Sequence, residues 1–187
     1  MVKWGRATSN LCSLCNQIQT NKHVLSNCSS PGLLSRYTKR HNEILTILVD
    51  HISSILSSHS VFADLPEKPP VATVFHSLRP DLVLLKNNCI SVIELTVCHE
   101  TNFSQSRNRK LTKYESISNF LNPPFSKHQV KVITIEVSVL GFIADLSPLY
   151  KHFKIEKFPI PLLNKISLSA IESSKKIYFN RNNSDCI

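Results

Sequence analysis

The chain has 187 residues, of which 42% are hydrophobic, and a formal net charge of +9 at pH 7. This length and apolar content fit one globular core with at most a small appended module, and they exclude a disordered chain. No apolar run approaches the ~18 residues of a membrane-spanning helix, so we expect none. The charge favours an acidic partner, a nucleic acid or an anionic membrane surface, although a solvated basic surface would have the same composition.

Four candidate metal ligands occur in the N-terminal stretch "CSLCNQIQTNKHVLSNC", namely Cys12, Cys15, His23 and Cys28. Two cysteines separated by two residues can hold one side of a tetrahedral ion, and the histidine and the last cysteine can complete it. Thiolate and imidazole are ligands that Zn²⁺ prefers, and four protein ligands imply a structural site. The alternative is a set of unrelated thiols and a surface histidine. We predict a small zinc finger over residues 1–30.

The rest of the chain alternates between helical and extended patterns. Apolar residues at steps of three or four predict one long amphipathic helix over about 32–56, which the proline-rich segment 63–71 must end. Beyond it we expect a short strand at 71–75, a hairpin at 81–97, a helix at 104–121, a strand at 129–140 and a helix at 161–173. These elements predict an α/β domain over residues 31–180, followed by a flexible tail at 181–187.

The hairpin carries two carboxylates in the otherwise apolar stretch "RPDLVLLKNNCISVIELTV". Asn87 and Asn88 suit a two-residue loop, and counting back along both strands from that loop places Asp81 opposite Glu94. Their β-carbons would lie ~5 Å apart on one face. Because two buried like charges repel, a divalent cation between them would remove the conflict. The alternative is that Asp81 caps a turn and Glu94 pairs with an arginine.

A basic run, "SRNRKLTKY", begins the helix that follows the hairpin. A lysine beside two metal-binding carboxylates can orient a water molecule and stabilise the charge on a pentacovalent phosphate, and Lys110 is the candidate. The same run contains Arg107, Arg109 and Lys113, which are candidates for binding nucleic acid. The alternative is a solvated basic turn of helix, which we expect for at least two of the four.

Together these motifs resemble the C-terminal region of non-LTR retrotransposon polyproteins, where a CCHC zinc finger precedes a restriction-like endonuclease of the PD-(D/E)XK superfamily. The resemblance implies a restriction-endonuclease-like core, a mixed β-sheet flanked by helices, behind the small N-terminal zinc finger. It extends from about Trp4 to Phe142 and includes, in the family's order, "WGR", the cysteine cluster, "RYTKRHN", "RPD", "IELTV", "RKLTKY" and "IEVSVLGF".

The resemblance also implies roles for individual residues. The two carboxylates that hold Mg²⁺ or Mn²⁺ in the family fall on Asp81 and Glu94. The family's lysine has moved from the strand, where this chain has Thr96, to the following helix. There Lys110 is the best match and Lys113 the competitor, with Tyr114 as a possible supporting group.

The "RHN" motif of the family falls on Arg40, His41 and Asn42, on the helix that precedes the hairpin. The resemblance implies that these residues contact nucleic acid or brace the active site. His41 also lies on the apolar stripe of this helix, so a packed structural histidine is the alternative.

The implied function is nicking of target DNA by a Mg²⁺-dependent endonuclease in the nucleus. DNA would be the partner, with the element's RNA as a second candidate, and a longer parent polyprotein would contribute a reverse transcriptase. This chain is too short to contain that module and has no YxDD-like motif. Two other functions remain open: a zinc-finger module that binds nucleic acid without turnover, and a purely structural domain stabilised by zinc.

Overall fold

The computed structural model describes residues 9–182. The first eight residues, which include "WGR", and residues 183–187 of the expected tail lie outside this part of the chain. A single helical turn, His23–Asn27, precedes the main elements. These are, in chain order, α1 Pro31–Ile55, β1 Ser60–Ala63, β2 Leu82–Lys86, β3 Cys89–Cys98, α2 Phe103–Lys113, β4 Gln129–Ser138, α3 Ser147–Phe153 and α4 Ile160–Phe179.

The four strands form one mixed sheet in the order β1-β2-β3-β4. β1 and β3 are antiparallel to β2, whereas β4 runs parallel to β3. Parallel neighbours need a long connection, and here it contains α2. The predicted mixed α/β fold, a sheet flanked by helices with a Cys/His cluster near the N-terminus, is therefore confirmed.

Helix α1 is confirmed within one residue of the predicted bounds. It begins at Pro31, whose fixed φ suits a first helical turn, and its apolar stripe is buried against the sheet. α3 and α4 cover the same face of the sheet. This core includes Ile44, Leu48, Ile52, Leu82, Leu84, Ile93, Leu95, Ile133, Ile135, Leu149 and Ile166.

The opposite face of the sheet is also apolar, as the hairpin sequence predicts for central strands. Short helical turns and the residues that follow α2 cover it, and this second core comprises Val71, Val74, Phe75, Val83, Ile90, Val92, Tyr114, Ile117 and Leu121. Further along β3 this face becomes polar, with Glu94 and Thr96 pointing to the same side.

Several predicted elements differ from the structure. Residues 71–75 do not form a strand: Val71–Thr73 is a helical turn, and Phe75 forms only an isolated bridge with Leu121. The helix predicted over 104–121 ends at Lys113, and α4 continues to Phe179. Strand β1 and helix α3 were not predicted. Among residues 9–182, no helix combines the length and hydropathy needed to cross a membrane.

Candidate active site and metal cluster

The hairpin brings the two predicted acids together. Leu82 pairs with Ile93 in the predicted register, which places Asp81, directly before β2, beside Glu94. The amide of Asp81 donates to Oε1 of Glu94 over 3.1 Å. In return the amide of Leu95 donates to Oδ2 of Asp81 over 2.8 Å. Each carboxylate is thus fixed by the backbone of the opposite strand.

Helix α2 places a cation on this pair. Nζ of Lys110 lies 3.4 Å from Oδ2 of Asp81 and also contacts Oε2 of Glu94. The Glu94 side chain is fully buried and that of Asp81 is 13% exposed. One turn further along, Tyr114 is buried near Glu94 and acts to lower the pKa of that acid. Nζ of Lys113 lies 3.0 Å from the hydroxyl of Tyr114, so Lys113 reaches the acids only through Tyr114.

His41 contacts the acid pair from α1. Its Nε2 lies 3.4 Å from Oδ2 of Asp81 and 3.3 Å from the carbonyl oxygen of Leu95. Its Nδ1 lies 3.2 Å from Oδ1 of Asn42. The ring is thus held between α1 and the hairpin, in a position that can brace the carboxylate of Asp81.

The environment separates the pKa values of the two acids. Burial and the neighbouring charge of Asp81 raise the pKa of Glu94, and Lys110 offsets this only in part. Burial also acts to raise the pKa of Asp81. The hydrogen bond and charge of His41, together with the charge of Lys110, outweigh burial, so the pKa of Asp81 is lowered. For Lys110, the charges of both acids outweigh burial and raise its pKa. Such a coupled set of perturbed groups is typical of functional sites.

A third carboxylate, Glu136, was missed by the sequence reasoning. It lies on β4 opposite Thr96, is 1% exposed, and forms a two-pronged ion pair with Arg107 at 3.2 and 2.6 Å. The alternation of the strand sequence places it on the face of Thr134, which pairs with Glu94. Arg107 and Lys110 are one helical turn apart, so α2 places a cation over each buried acid.

The remaining predicted nucleic-acid contacts lie in different surroundings. Arg109 and Lys113 are exposed on α2 and accessible to a ligand. Arg107 is 42% exposed at its side chain and is held by Glu136. Arg40 is 1% exposed, and its guanidinium donates to Ser174 Oγ and to the carbonyl oxygen of Leu25. In this conformation its guanidinium is not at the surface.

The Cys/His cluster can hold a zinc ion. The ligand atoms of Cys12, Cys15, His23 and Cys28 all lie within 4.8 Å of one another. The sulfur of Cys28 lies 3.9 Å from the sulfur of Cys12 and 3.5 Å from the sulfur of Cys15. The sulfur of Cys15 lies 3.1 Å from Nε2 of His23. Tetrahedral zinc–thiolate bonds place sulfur atoms about 3.8 Å apart, so the four donors fit this ion.

The cluster is continuous with the rest of the protein. Cys12 and Cys28 are buried in a third core with Leu33, Val139 and Ile177. The helical turn that carries His23 is also bound to α1 by two hydrogen bonds. The Tyr37 hydroxyl donates to the carbonyl oxygen of Val24, and the Arg40 guanidinium donates to the carbonyl oxygen of Leu25.

No known family model and no curated protein matches this chain. The features of the chain that bear on its function are therefore the acid pair, the cation on it and the Cys/His cluster.

Proposed function

We propose that this protein is a divalent-metal-dependent DNA endonuclease with a restriction-like core, which nicks one strand by phosphodiester hydrolysis. The observation that carries the proposal is the position of Lys110 against two carboxylates on adjacent strands, Asp81 directly before β2 and the fully buried Glu94 within β3. A mixed sheet flanked by helices is what the resemblance to the retrotransposon endonucleases implies, and the net charge of +9 favours DNA as the substrate.

Asp81 and Glu94 would hold Mg²⁺ or Mn²⁺. Their carboxylate oxygens are the donors that these hard cations prefer, and they already converge on one cationic group, the ammonium of Lys110. A metal ion there would neutralise charge on the phosphate and make a bound water more acidic. Because Lys110 touches both acids, its side chain has to withdraw from this position when the metal binds.

Lys110 would then lie beside the metal, with its ammonium charge maintained. In the proposed reaction it orients the attacking water and stabilises the negative charge that develops on the phosphate. Tyr114 fixes the carboxylate of Glu94 through its hydroxyl, and His41 fixes that of Asp81. These two residues are positioning residues, because they act through the acids.

We further propose that the Cys/His cluster binds structural Zn²⁺ as a zinc finger. Four protein donors leave no open position for a substrate or water. The element's RNA as a further ligand and a nuclear location follow from the resemblance alone and stay predictions.

A plasmid-nicking assay tests the proposal. Supercoiled plasmid is incubated with the zinc-loaded protein in Mg²⁺, Mn²⁺, Ca²⁺ or no added divalent cation, and the relaxed form is quantified. We expect nicking in Mg²⁺ and Mn²⁺ only. Glu94→Gln should reduce the rate by about a hundredfold or more, because it removes a charged metal ligand.

Lys110→Met and Lys113→Met separate the two candidate lysines. We expect the first to lower the nicking rate at saturating DNA by about a hundredfold. The second should chiefly weaken DNA binding, and Lys157→Met, an exposed lysine elsewhere, is the matched control. Wild-type nicking by Lys110→Met would contradict the assigned role.

The alternative function is a nucleic-acid-binding module without turnover. The ion pairs of Lys110 with both acids are the observation that favours it, since they compensate the buried charges without a metal. Salt-sensitive DNA binding combined with no nicking in any metal would establish the alternative and reject the nuclease.

A further inference from the structure

A groove lies between α1 and α4, away from the acid pair. Its cavity has a volume of about 250 Å³. Four basic residues line it: Arg36, Lys39 and Arg40 from α1, and Lys176 from α4. Lys39 and Lys176 are exposed at its edge, so a ligand can reach them from solvent.

Arg40 places a buried positive charge behind this groove. Its guanidinium donates to the Ser174 hydroxyl over 3.0 Å and to the Leu25 carbonyl oxygen over 2.9 Å, and its carbon lies 5.3 Å from the centre of the Tyr37 ring. Within residues 9–182 no carboxylate forms an ion pair with it. Burial lowers the pKa of Arg40 to about 10, which reflects the cost of a charge that these neutral partners offset only in part.

One acid also lines the groove. Glu43 accepts a hydrogen bond of 2.5 Å from the Ser173 hydroxyl. Arg36 donates to the carbonyl oxygen of Asn180, which holds its guanidinium across the two helices. The lining therefore contains four cations and one carboxylate, and its net charge attracts an anion.

We propose that this groove binds a backbone phosphate of a nucleic-acid strand, at a site separate from Asp81 and Glu94. Lys39 and Lys176 contact the phosphate, and Arg40 adds its charge from behind. A recessed site between two helices suits the backbone of a flexible single strand better than that of a rigid duplex. Adjacent residues of α1 serve the two sites, since Arg40 points to the groove while His41 touches Asp81. The proposal requires strand binding but not cleavage.

Fluorescence anisotropy with a labelled single-stranded DNA of about 20 nucleotides tests the proposal. The protein is zinc-loaded and free of Mg²⁺, and the affinity is measured over a range of KCl concentrations. The test variant is Lys39→Gln with Lys176→Gln. The control is Lys127→Gln with Lys157→Gln, which changes the charge equally at two exposed lysines outside the groove.

We expect the groove variant to bind about tenfold more weakly at low salt. Its salt slope should fall by about 1.4, because each of the two substituted lysines no longer neutralises a phosphate charge and one such contact contributes about 0.7 on a single strand. The control should stay close to wild type. Equal effects of the two double variants would overturn the proposal, since only net charge would then matter. The single variants Lys39→Gln and Lys176→Gln give the same comparison if the double variant is unstable.

Two further measurements identify the source of the phosphate and the site. In the first, inorganic phosphate or pyrophosphate is tested for protection of the wild type and the groove variant against thermal unfolding. If only the wild type is protected and the groove variant still binds DNA with wild-type affinity, the groove is a free-phosphate site. That result would overturn the nucleic-acid assignment. Asp81→Asn should bind the oligonucleotide like wild type. Absence of nicking by the wild type in every metal, with groove-dependent binding retained, would therefore reject the nuclease and leave this proposal standing.

Discussion

The amide nitrogen of Asp81 lies 3.1 Å from Oε1 of Glu94, so the backbone that carries one acid binds the side chain of the other. The reciprocal bond from Leu95 to Asp81 completes the arrangement. The two carboxylates therefore keep their positions through main-chain donors of the hairpin itself, and a metal ion is not required to hold them near each other.

The first prediction concerns the contribution of Asp81 to stability. The sequence alone suggests that removing one of two opposed acids stabilises the metal-free protein. The structure suggests the reverse, because Asp81 accepts from Leu95 and pairs with His41 and Lys110. Asp81→Asn should lower the free energy of unfolding of the zinc-loaded protein by about 1–3 kcal/mol in the absence of Mg²⁺. Urea denaturation followed by circular dichroism measures it.

The same urea denaturation, repeated with Mg²⁺, tests whether Asp81 is a metal ligand. The wild type should be stabilised by Mg²⁺, whereas Asp81→Asn should not respond. Asp50→Asn is the control, since Asp50 is 59% exposed in its ion pair with Lys68 and should change the stability by less than about 1 kcal/mol. An identical Mg²⁺ response of wild type and Asp81→Asn would show that Asp81 is not a metal ligand.

The second prediction concerns the hydroxyl of Tyr114. This side chain is buried, and burial followed by the charge of Glu94 raises its pKa, so the hydroxyl remains a donor throughout the usable pH range. Tyr114→Phe should lower the free energy of unfolding by about 1 kcal/mol, because the buried carboxylate loses a donor. It should also slow nicking without weakening DNA binding. A rate equal to wild type would show that this hydrogen bond does not position Glu94.

The third prediction concerns zinc. Elemental analysis of purified protein should find one tightly bound Zn²⁺ per chain, and Cys28→Ser should lose it. Because Cys28 shares a core with Val139 and Ile177, the damage should extend beyond the N-terminal segment to α4. Hydrogen exchange should show reduced protection in residues 170–179. Cys89→Ser, at an exposed position in the hairpin, should retain the metal and the protection.

The fourth prediction concerns pH. Nε2 of His152 lies 2.7 Å from Oγ of Ser91, and burial, then the charges of Lys131 and His59, lower its pKa below the ordinary 6.5. The folded state thus favours the neutral ring. Stability should be unaffected by this group above about pH 6.5, and should fall as the pH drops through the lowered pKa. His152→Gln should flatten the fall in urea midpoint between about pH 7.5 and pH 5. Parallel profiles for the variant and wild type would contradict this.

The local parts of the fold and site could be predicted from the sequence. Strand register across a short turn is set by counting residues, so the approach of Asp81 to Glu94 followed from Asn87, whose φ is +53° in the structure. The apolar stripe of α1 likewise determined its bounds. Lys110 could be chosen from the resemblance, although a basic run offers no local signal to distinguish it from Lys113.

The remaining features depend on contacts between distant segments. Arg40 is buried because α4 and the turn before α1 supply Ser174 and the Leu25 carbonyl as partners, and a "KRHN" sequence cannot show either. In the sequence, Glu136 is one polar position in an alternating strand. Its place opposite Thr96 and its ion pair with Arg107 depend on the parallel pairing of β3 with β4. Strand β1 has only four residues, too few for a clear alternation.

The parallel pairing of β3 with β4 affects the order in which the site can assemble during folding. The two acids are 13 residues apart and meet as soon as the hairpin closes, a local event on the microsecond scale. Lys110 arrives on the crossover, which is anchored only when Gln129–Ser138 has joined the sheet, a slower non-local step. A nascent chain that ends before Gln129 therefore already contains the acid hairpin but lacks the strand that anchors the lysine over it, so the acids and the lysine come together only after β4 has been synthesised.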